Sequence, residues 1–331
     1  MNVRFVMSPI LALSLSFHAA GQQVSRGNGD SVPSVLGANA GLDFKESLLH
    51  RIAMDEAAVR NAESAHASNG ELGRLYAELG LEYEDAAQYE RSEAAMQRSV
   101  SLLRHAPDAT PNLATAISHL GSLHVAMRKF RESESEEQEA LQLRLNLGDR
   151  LKIARSWNDL AALSLAEHKI DRARDYAQKA LDEFRMDGRA AVIDKLSARY
   201  ALAMAFCYLK DCASAIPVLK EAVEEAKTML QPGAFPIGFG NFLLGYAYWK
   251  CGNMVDAGPQ FQEGTTAMSV QLGWGHPAYL AALRQYAAFL KQNKQKDVAN
   301  ALELRIRQAE SVVDVHSIQS SQGMFGMNGL R

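Results

Sequence analysis

Apolar residues recur at helical spacing along most of the chain, in blocks too short for long helices and too regular for an irregular domain. The stretch from Asn241 to Thr265 shows the unit most clearly. An aromatic-rich segment runs to Lys250, breaks at Gly252-Asn253, and gives way to a second segment with the same period. Within it stand Leu244-Gly245, Tyr248, Ala257, Phe261 and Gly264. The ladder repeats. Small residues sit at Gly80, Gly121, Ala161, Ala203, Gly245 and Ala287, at intervals of 41, 40, 42, 42 and 42, each preceded by Leu79, Leu120, Leu160, Leu202, Leu244 or Tyr286. Twelve residues beyond each comes Ser92, Ser133, Ala173, Ala215, Ala257 or Ala299. Nineteen beyond comes Ser99, Ala140, Ala180, Ala222 or Gly264, with Ile306 breaking the rule.

Such columns are what close helix-on-helix contact requires. Antiparallel helices joined by a tight turn approach only where a small side chain meets the partner's backbone, and large neighbours fill the space beside it. One hairpin cannot bury its apolar face alone, so the pattern predicts about six stacked hairpins with a continuous core. Turns are marked at Gly252-Asn253, at His168-Lys169 before Asp171, and at Asp211. Pro217 and Pro259 fit the first turn of a helix, where a missing N–H is unpaired anyway, and place helix starts near Cys212 and Val255. An earlier helix is expected from an N-cap at Asp43 to about Ala67, stopped by Asn69-Gly70.

The spacing of Leu79-Gly80, Tyr83, Tyr89, Ser92, Met96 and Ser99, and of Leu244-Gly245, Tyr248, Ala257, Phe261 and Gly264, resembles the tetratricopeptide repeat family. The interval exceeds that family's usual length of about 34 residues and is similar to the kinesin-light-chain type of repeat. Pro217 and Pro259, each fourteen residues after its small site, and Gly275-His276-Pro277, a shortened form of the linker before such repeats, strengthen that likeness. It covers about residues 73–307 and implies an all-α solenoid, a right-handed superhelix of about six hairpins, that works by binding a protein or peptide. The family's peptide-carboxylate clamp uses lysine and asparagine at set sites; only Asn158 matches, with no lysines beside it.

Composition adds the context. A chain of 331 residues, 47% apolar and 22% charged, buries a sizeable core, and a net charge of −3 gives no pull toward nucleic acid. Residues 1–21 read as a secretory signal: Arg4, an apolar run from Phe5 to Phe17, then small residues. That run is too short to span a bilayer, although an uncleaved anchor is the competing reading, and no later run is long and apolar enough to span one. Residues 22–42 read as a flexible linker, 43–310 as the repeat domain and 311–331 as a disordered tail. The expected location is the periplasm or outside the cell. Of three cysteines at least one is unpaired; Cys207 and Cys212 flank a turn and either approach one another or, with Cys251, pack as small apolar residues.

Catalytic signatures are missing from the sequence: no phosphate loop, no nucleophile elbow, no His-Glu-x-x-His, no cysteine pairs for zinc. His119 and His124 share a helix without a ligand spacing. No catalytic residue, metal or cofactor is therefore expected, and the reading is a binding scaffold rather than an enzyme. If the first helix of each repeat lines the concave side, Tyr200, Met204, Phe239, Phe242, Tyr246 and Trp249 form an aromatic cluster there, with Arg284 and Lys291 as a basic edge that meets a carboxylate. The same side chains serve equally as inter-repeat core in a tightly wound array. A different reading makes the protein an envelope-associated assembly factor acting through its convex face and the acidic run Glu132 to Glu139, where Glu137 replaces an expected apolar residue.

Overall fold

The computed structural model describes residues 40–187 and 190–325, with side chains from 47 to 310. The described residues form thirteen α-helices and no strand. A leading helix, α1 (Ala40–Ser64), packs on six hairpins. These pair α2 (Asn69–Asp85) with α3 (Tyr89–Arg104), and α4 (Thr110–Ala126) with α5 (Phe130–Leu147). Next come α6 (Arg150–Ala166) with α7 (Ile170–Met186), and α8 (Val192–Tyr208) with α9 (Cys212–Met229). The last two pair α10 (Phe235–Lys250) with α11 (Met254–Leu272), and α12 (Pro277–Gln292) with α13 (Lys296–Phe325).

The small columns are the contact points. Ser92, Ser133, Ala173, Ala215, Ala257 and Ala299 are all fully buried, as are Ser99, Ala140, Ala180 and Ala222. Two of the three serines also use their hydroxyls: Ser92 donates to the Gly80 carbonyl and Ser99 to that of Gly73. At Gly264 a Cβ would stand 2.4 Å from the Phe242 backbone nitrogen, so α10 and α11 touch main chain to main chain.

Each hairpin turns in the same way. Seven residues after each small site, Ala87, Arg128, His168, Lys210, Gly252 and Lys294 take a left-handed backbone conformation with φ of 55, 61, 60, 61, 82 and 62°. The next N–H then reaches back six residues' span, as from Gln88 to Tyr83 and from Asn253 to Tyr248. This is a Schellman cap that satisfies the last carbonyls of the first helix. Only one of the six residues is glycine.

First helices pack on the first helices of neighbouring repeats throughout the array, and among the described residues second helices make no comparable contact with one another. Several local expectations are corrected. The leading helix starts at Ala40, before Asp43, and ends at Ser64; Asn69-Gly70 opens α2 instead of ending α1, because Ser68 caps α2 by accepting from the Glu71 N–H. Helices α9 and α11 start at Cys212 and Met254 as expected, but Pro217 and Pro259 lie in their second turns, where each leaves a carbonyl one turn back without its helical bond. The α13 backbone continues to Phe325, beyond the expected end at 310. The expected signal, residues 1–21, and nearly all of the expected linker lie outside the described residues.

Candidate functional site

The aromatic cluster expected on the inner face is core. Phe239, Phe242 and Met204 are fully buried, Tyr200 is 1% exposed, and Tyr246 and Trp249 show only 6% and 8%. The reason is α10 itself, in which every residue from Phe235 to Trp249 is buried. A helix apolar all round has no solvent face, and α10 is enclosed by α8, α9, α11 and α12. Phe242 meets Phe261 edge-on at 5.4 Å, and Tyr200 meets Phe239 at 5.8 Å while its hydroxyl donates to the Pro236 carbonyl. The basic edge is also committed: Arg284 pairs with Glu310, and Lys291 with Glu303 at 2.6 Å. Neither is free to meet an incoming carboxylate.

The acidic run is committed in the same way. Glu134 pairs with Lys169 and Arg172 of the next repeat, Glu136 with His124, and Glu139 with Arg104 of the preceding repeat. Glu137 is buried beneath Gly121. Of the five glutamates only Glu132 is exposed without a protein partner. Of this acidic run, Glu134 and Glu139 are struts to neighbouring repeats, while Glu136 and Glu137 are held within their own hairpin.

Polar chemistry collects elsewhere, on the first helices of repeats two to four. Ser118 of α4 donates to Asp159 of α6 at 2.9 Å and also contacts Glu137 of α5 at 3.2 Å. Asn158 of α6 donates to Ser197 of α8 at 2.9 Å, and Arg155 holds Asp194 through two bonds of 2.8 and 2.9 Å. Arg144 of α5 donates to Ser156 at 2.6 Å and stands 3.9 Å from Asp159. Apart from the half-buried Arg155 these groups are buried, and among the described residues Glu137 Oε1, Arg144 Nε and Asn158 Oδ1 have no protein hydrogen-bond partner. Leaving such atoms unpaired costs roughly 1–3 kcal/mol each.

A small cleft of about 20 Å³ opens onto this cluster between α4 and α6, lined by Ser118, Ser122, Arg144, Lys152 and Asp159 among others. That is room for about one water. Burial, reinforced by the charges of Arg144, Lys152 and Arg155, brings His119 beside it down to about 4, so its imidazole is neutral. Burial raises Asp159 to about 6 against the pull of Arg144, and burial and Asp159 together raise Glu137 well above the carboxylate range. Lys152, half-buried at the mouth, has no ion-pair partner among the described residues; burial and the neighbouring arginines lower its pKa. The site holds a charge-rich floor and one uncommitted cation. Ser118 is bonded to the carboxylates of Glu137 and Asp159 and not to His119, so the pair lacks the geometry of an activated nucleophile.

The sequence reading marks Asn158 as a groove residue and Glu137 as a departure from the repeat on an acidic face, but it gives no role to Lys152 or Asp159. Glu137 carried a readable signal, a carboxylate where the repeat expects an apolar residue. Asp159 and Lys152 carried none, because a polar residue in a helix is ordinarily solvated.

The cysteines pair in a way the spacing did not suggest. Cys212, the first residue of α9, is bonded to Cys251, the residue after α10, with Cα atoms 5.8 Å apart. Cys207 is left free and buried, its thiol pushed up to about 12 by burial. The disulfide thus joins repeat four to repeat five.

No family model matches the chain, and no curated protein matches it. Solved structures do. The Rap conjugation gene regulator of plasmid pLS20, in complex with the Phr* peptide, aligns over 98% of this chain and 99% of its own at a TM-score of 0.64 and 11% identity. The apo form of RapI aligns over 83% and 97% at 0.62 and 11%. BtubC (BKLC) from P. vanneervenii aligns over 68% and 92% at 0.53 and 20% identity. At such identities the likeness is one of fold. By fold, this chain is a tetratricopeptide-like helical-repeat solenoid, with its small sites spaced 40 to 42 residues apart.

Proposed function

We propose that the protein is an exported scaffold that binds a peptide or protein segment on the inner face formed by its first helices, with no catalytic step of its own. The observation that carries this reading is the polar cluster at repeats two to four. Natural cores leave few buried polar atoms unpaired, yet Arg144, whose Nε has no protein partner among the described residues, lines the same cleft as Lys152, which has no ion-pair partner among them. An acidic side chain or carboxylate of the partner would meet Lys152, and the rigid array lowers the entropic cost of ordering the segment. The peptide in the Rap complex supports a peptide as the class of partner for this fold. Export rests on the signal-like residues 1–21 and is supported by the Cys212–Cys251 disulfide, since structural disulfides persist in oxidising compartments.

Selection from a displayed random-peptide library against the full oxidised chain tests the binding role. Acidic sequences should be enriched, and Lys152→Glu should weaken them by about tenfold or more while Tm stays within a few degrees. Ligands indifferent to Lys152 would refute the site. Fusing residues 1–39 to a reporter active only outside the cytoplasm tests export, and an inactive fusion refutes it.

A further inference from the structure

The seam between repeats one and two is bridged by a histidine. His124, near the end of α4, is 3% exposed and lies between carboxylates from two different helices. Its Nδ1 stands 2.7 Å from Glu136 Oε2 of α5, in its own hairpin. Its Nε2 stands 3.0 Å from Glu93 Oε1 of α3, in the preceding repeat. An ionised carboxylate only accepts hydrogen bonds, so both ring nitrogens have to donate, and only the imidazolium carries two N–H groups. The neutral ring keeps a lone pair, which would face a carboxylate oxygen at bonding distance in a buried place.

The surroundings put the titration on the ring. Lys129, in the turn between α4 and α5, bonds both oxygens of Glu93, at 2.6 and 2.8 Å. That bond, against burial and with help from His124, holds Glu93 below the usual carboxylate range, so it stays ionised near neutral pH. Burial pulls His124 down, but its bonds to Glu136 and Glu93 outweigh this and leave it above the ordinary 6.5. Helices α2 and α6 also pack on α4. Among the described residues they bring no charged group into bonding reach of the ring.

The seams on either side use groups that do not titrate there. Three residues after the small site, repeat one has Tyr83 where repeat two has His124. The Tyr83 hydroxyl reaches back to Glu56 of α1 at 2.8 Å, and burial pushes it up to about 12. At the following seam Glu134 meets Lys169 and Arg172, whose charges are fixed near neutral pH. We infer that the seam between repeats one and two is a pH-sensitive joint, closed while His124 bridges Glu93 and Glu136 as an imidazolium and loosened when that proton passes to water. The native state binds the proton more tightly than the unfolded chain does. Its stabilisation is therefore complete below about 6.5 and is lost as pH rises through the higher folded value. The pairs of Lys129 with Glu93 and of Arg104 with Glu139 still cross the seam, so it loosens and does not part.

Two measurements on the full oxidised chain test this. Nitrogen NMR of the histidine rings, with His124→Gln to assign the signal, should find both His124 nitrogens protonated at about pH 6 and a midpoint above 6.5. Amide hydrogen exchange, corrected for its intrinsic pH dependence, should show protection in α3 and α4 falling at least about threefold between about pH 6 and about pH 8.5. Helices α10 and α11 should keep theirs, and His124→Gln should flatten the change in α3 and α4. Glu136→Gln removes one carboxylate and should move both the midpoint and the loss of protection to lower pH. It also assigns the ring signal if His124→Gln does not fold. A neutral ring at about pH 6, a midpoint at or below 6.5, an equal fall in protection along the whole array, or a fall in α3 and α4 unchanged in the folded variants would overturn the inference.

Discussion

Asp159 and Glu137 are acids whose buried settings favour the protonated form, and this gives the protein a pH signature of unusual sign. Ordinary paired carboxylates strengthen a fold as pH rises, because the native state holds them ionised. For Asp159 the folded value, about 6, lies above the ordinary 3.8, so the native state binds the proton more tightly than the unfolded chain. The contribution is complete below about pH 4 and is lost as pH rises through about 6, and Glu137 acts in the same direction. The groups facing them are Arg144, Arg155, Lys152, Asp194 and His119, and His119 is already neutral near pH 5. Thermal melts from pH 4 to 7 should therefore show wild-type Tm declining relative to Asp159→Asn across that interval; parallel profiles would contradict the assignment. A second test concerns Ala87, which holds φ at 55° as an ordinary L-residue. Left-handed backbone costs a non-glycine residue about 1 kcal/mol. Ala87→Gly should stabilise by up to about that amount, less the entropy glycine brings to the unfolded chain, measured by urea titration.

At the level of the helices, the small columns were legible in the sequence because packing against a backbone tolerates few residue types, and all six hairpins lie where those columns put them. Surface and core on the first helices were not legible by position. A groove read off position takes it that every first helix keeps a wet side, whereas Ser118, Ser122 and Asn158 on α4 and α6 are only 4%, 9% and 4% exposed and α10 is buried from Phe235 to Trp249. The composition of α10 already held the answer: fifteen consecutive buried residues from Phe235 to Trp249 are nearly all apolar or small. Phe242→Ala should consequently cost about 3–5 kcal/mol and lower Tm strongly, whereas truncating a surface side chain on α10 would have cost little. Retention of near wild-type stability by Phe242→Ala would restore the aromatic cluster as a binding face.

Across the whole molecule, stability in such an array is close to a sum of repeat and nearest-neighbour terms, so its repeats need not melt together. The disulfide interrupts that independence at one seam. Its half-cystines are 39 residues apart in sequence, and closing a loop of that size removes about 4 kcal/mol of unfolded-chain freedom by the chain-entropy account. Reduction should lower the melting temperature of repeats four and five while leaving the end of the array near α2 and α3 little changed. Amide hydrogen exchange with and without reductant would show it, as a loss of protection confined to α8 through α11. Equal loss along the entire chain would mean that the array melts as one unit. Cys207 should stay unreactive toward thiol reagents until those helices open, because its thiol is buried and shifted up to about 12.

The Cys212–Cys251 bond also has a mechanical consequence. Pulled from its two ends, a stack of hairpins yields repeat by repeat, each releasing its length of chain. Here the residues between the two cysteines cannot be drawn out while the bond is intact, because the load passes across the sulfurs. At about 3.4 Å of extended chain per residue, this withholds about 130 Å of contour. Under load the oxidised chain thus keeps α9 and α10 folded or slack, never under tension, and single-molecule extension of the oxidised and reduced chains should differ by that length.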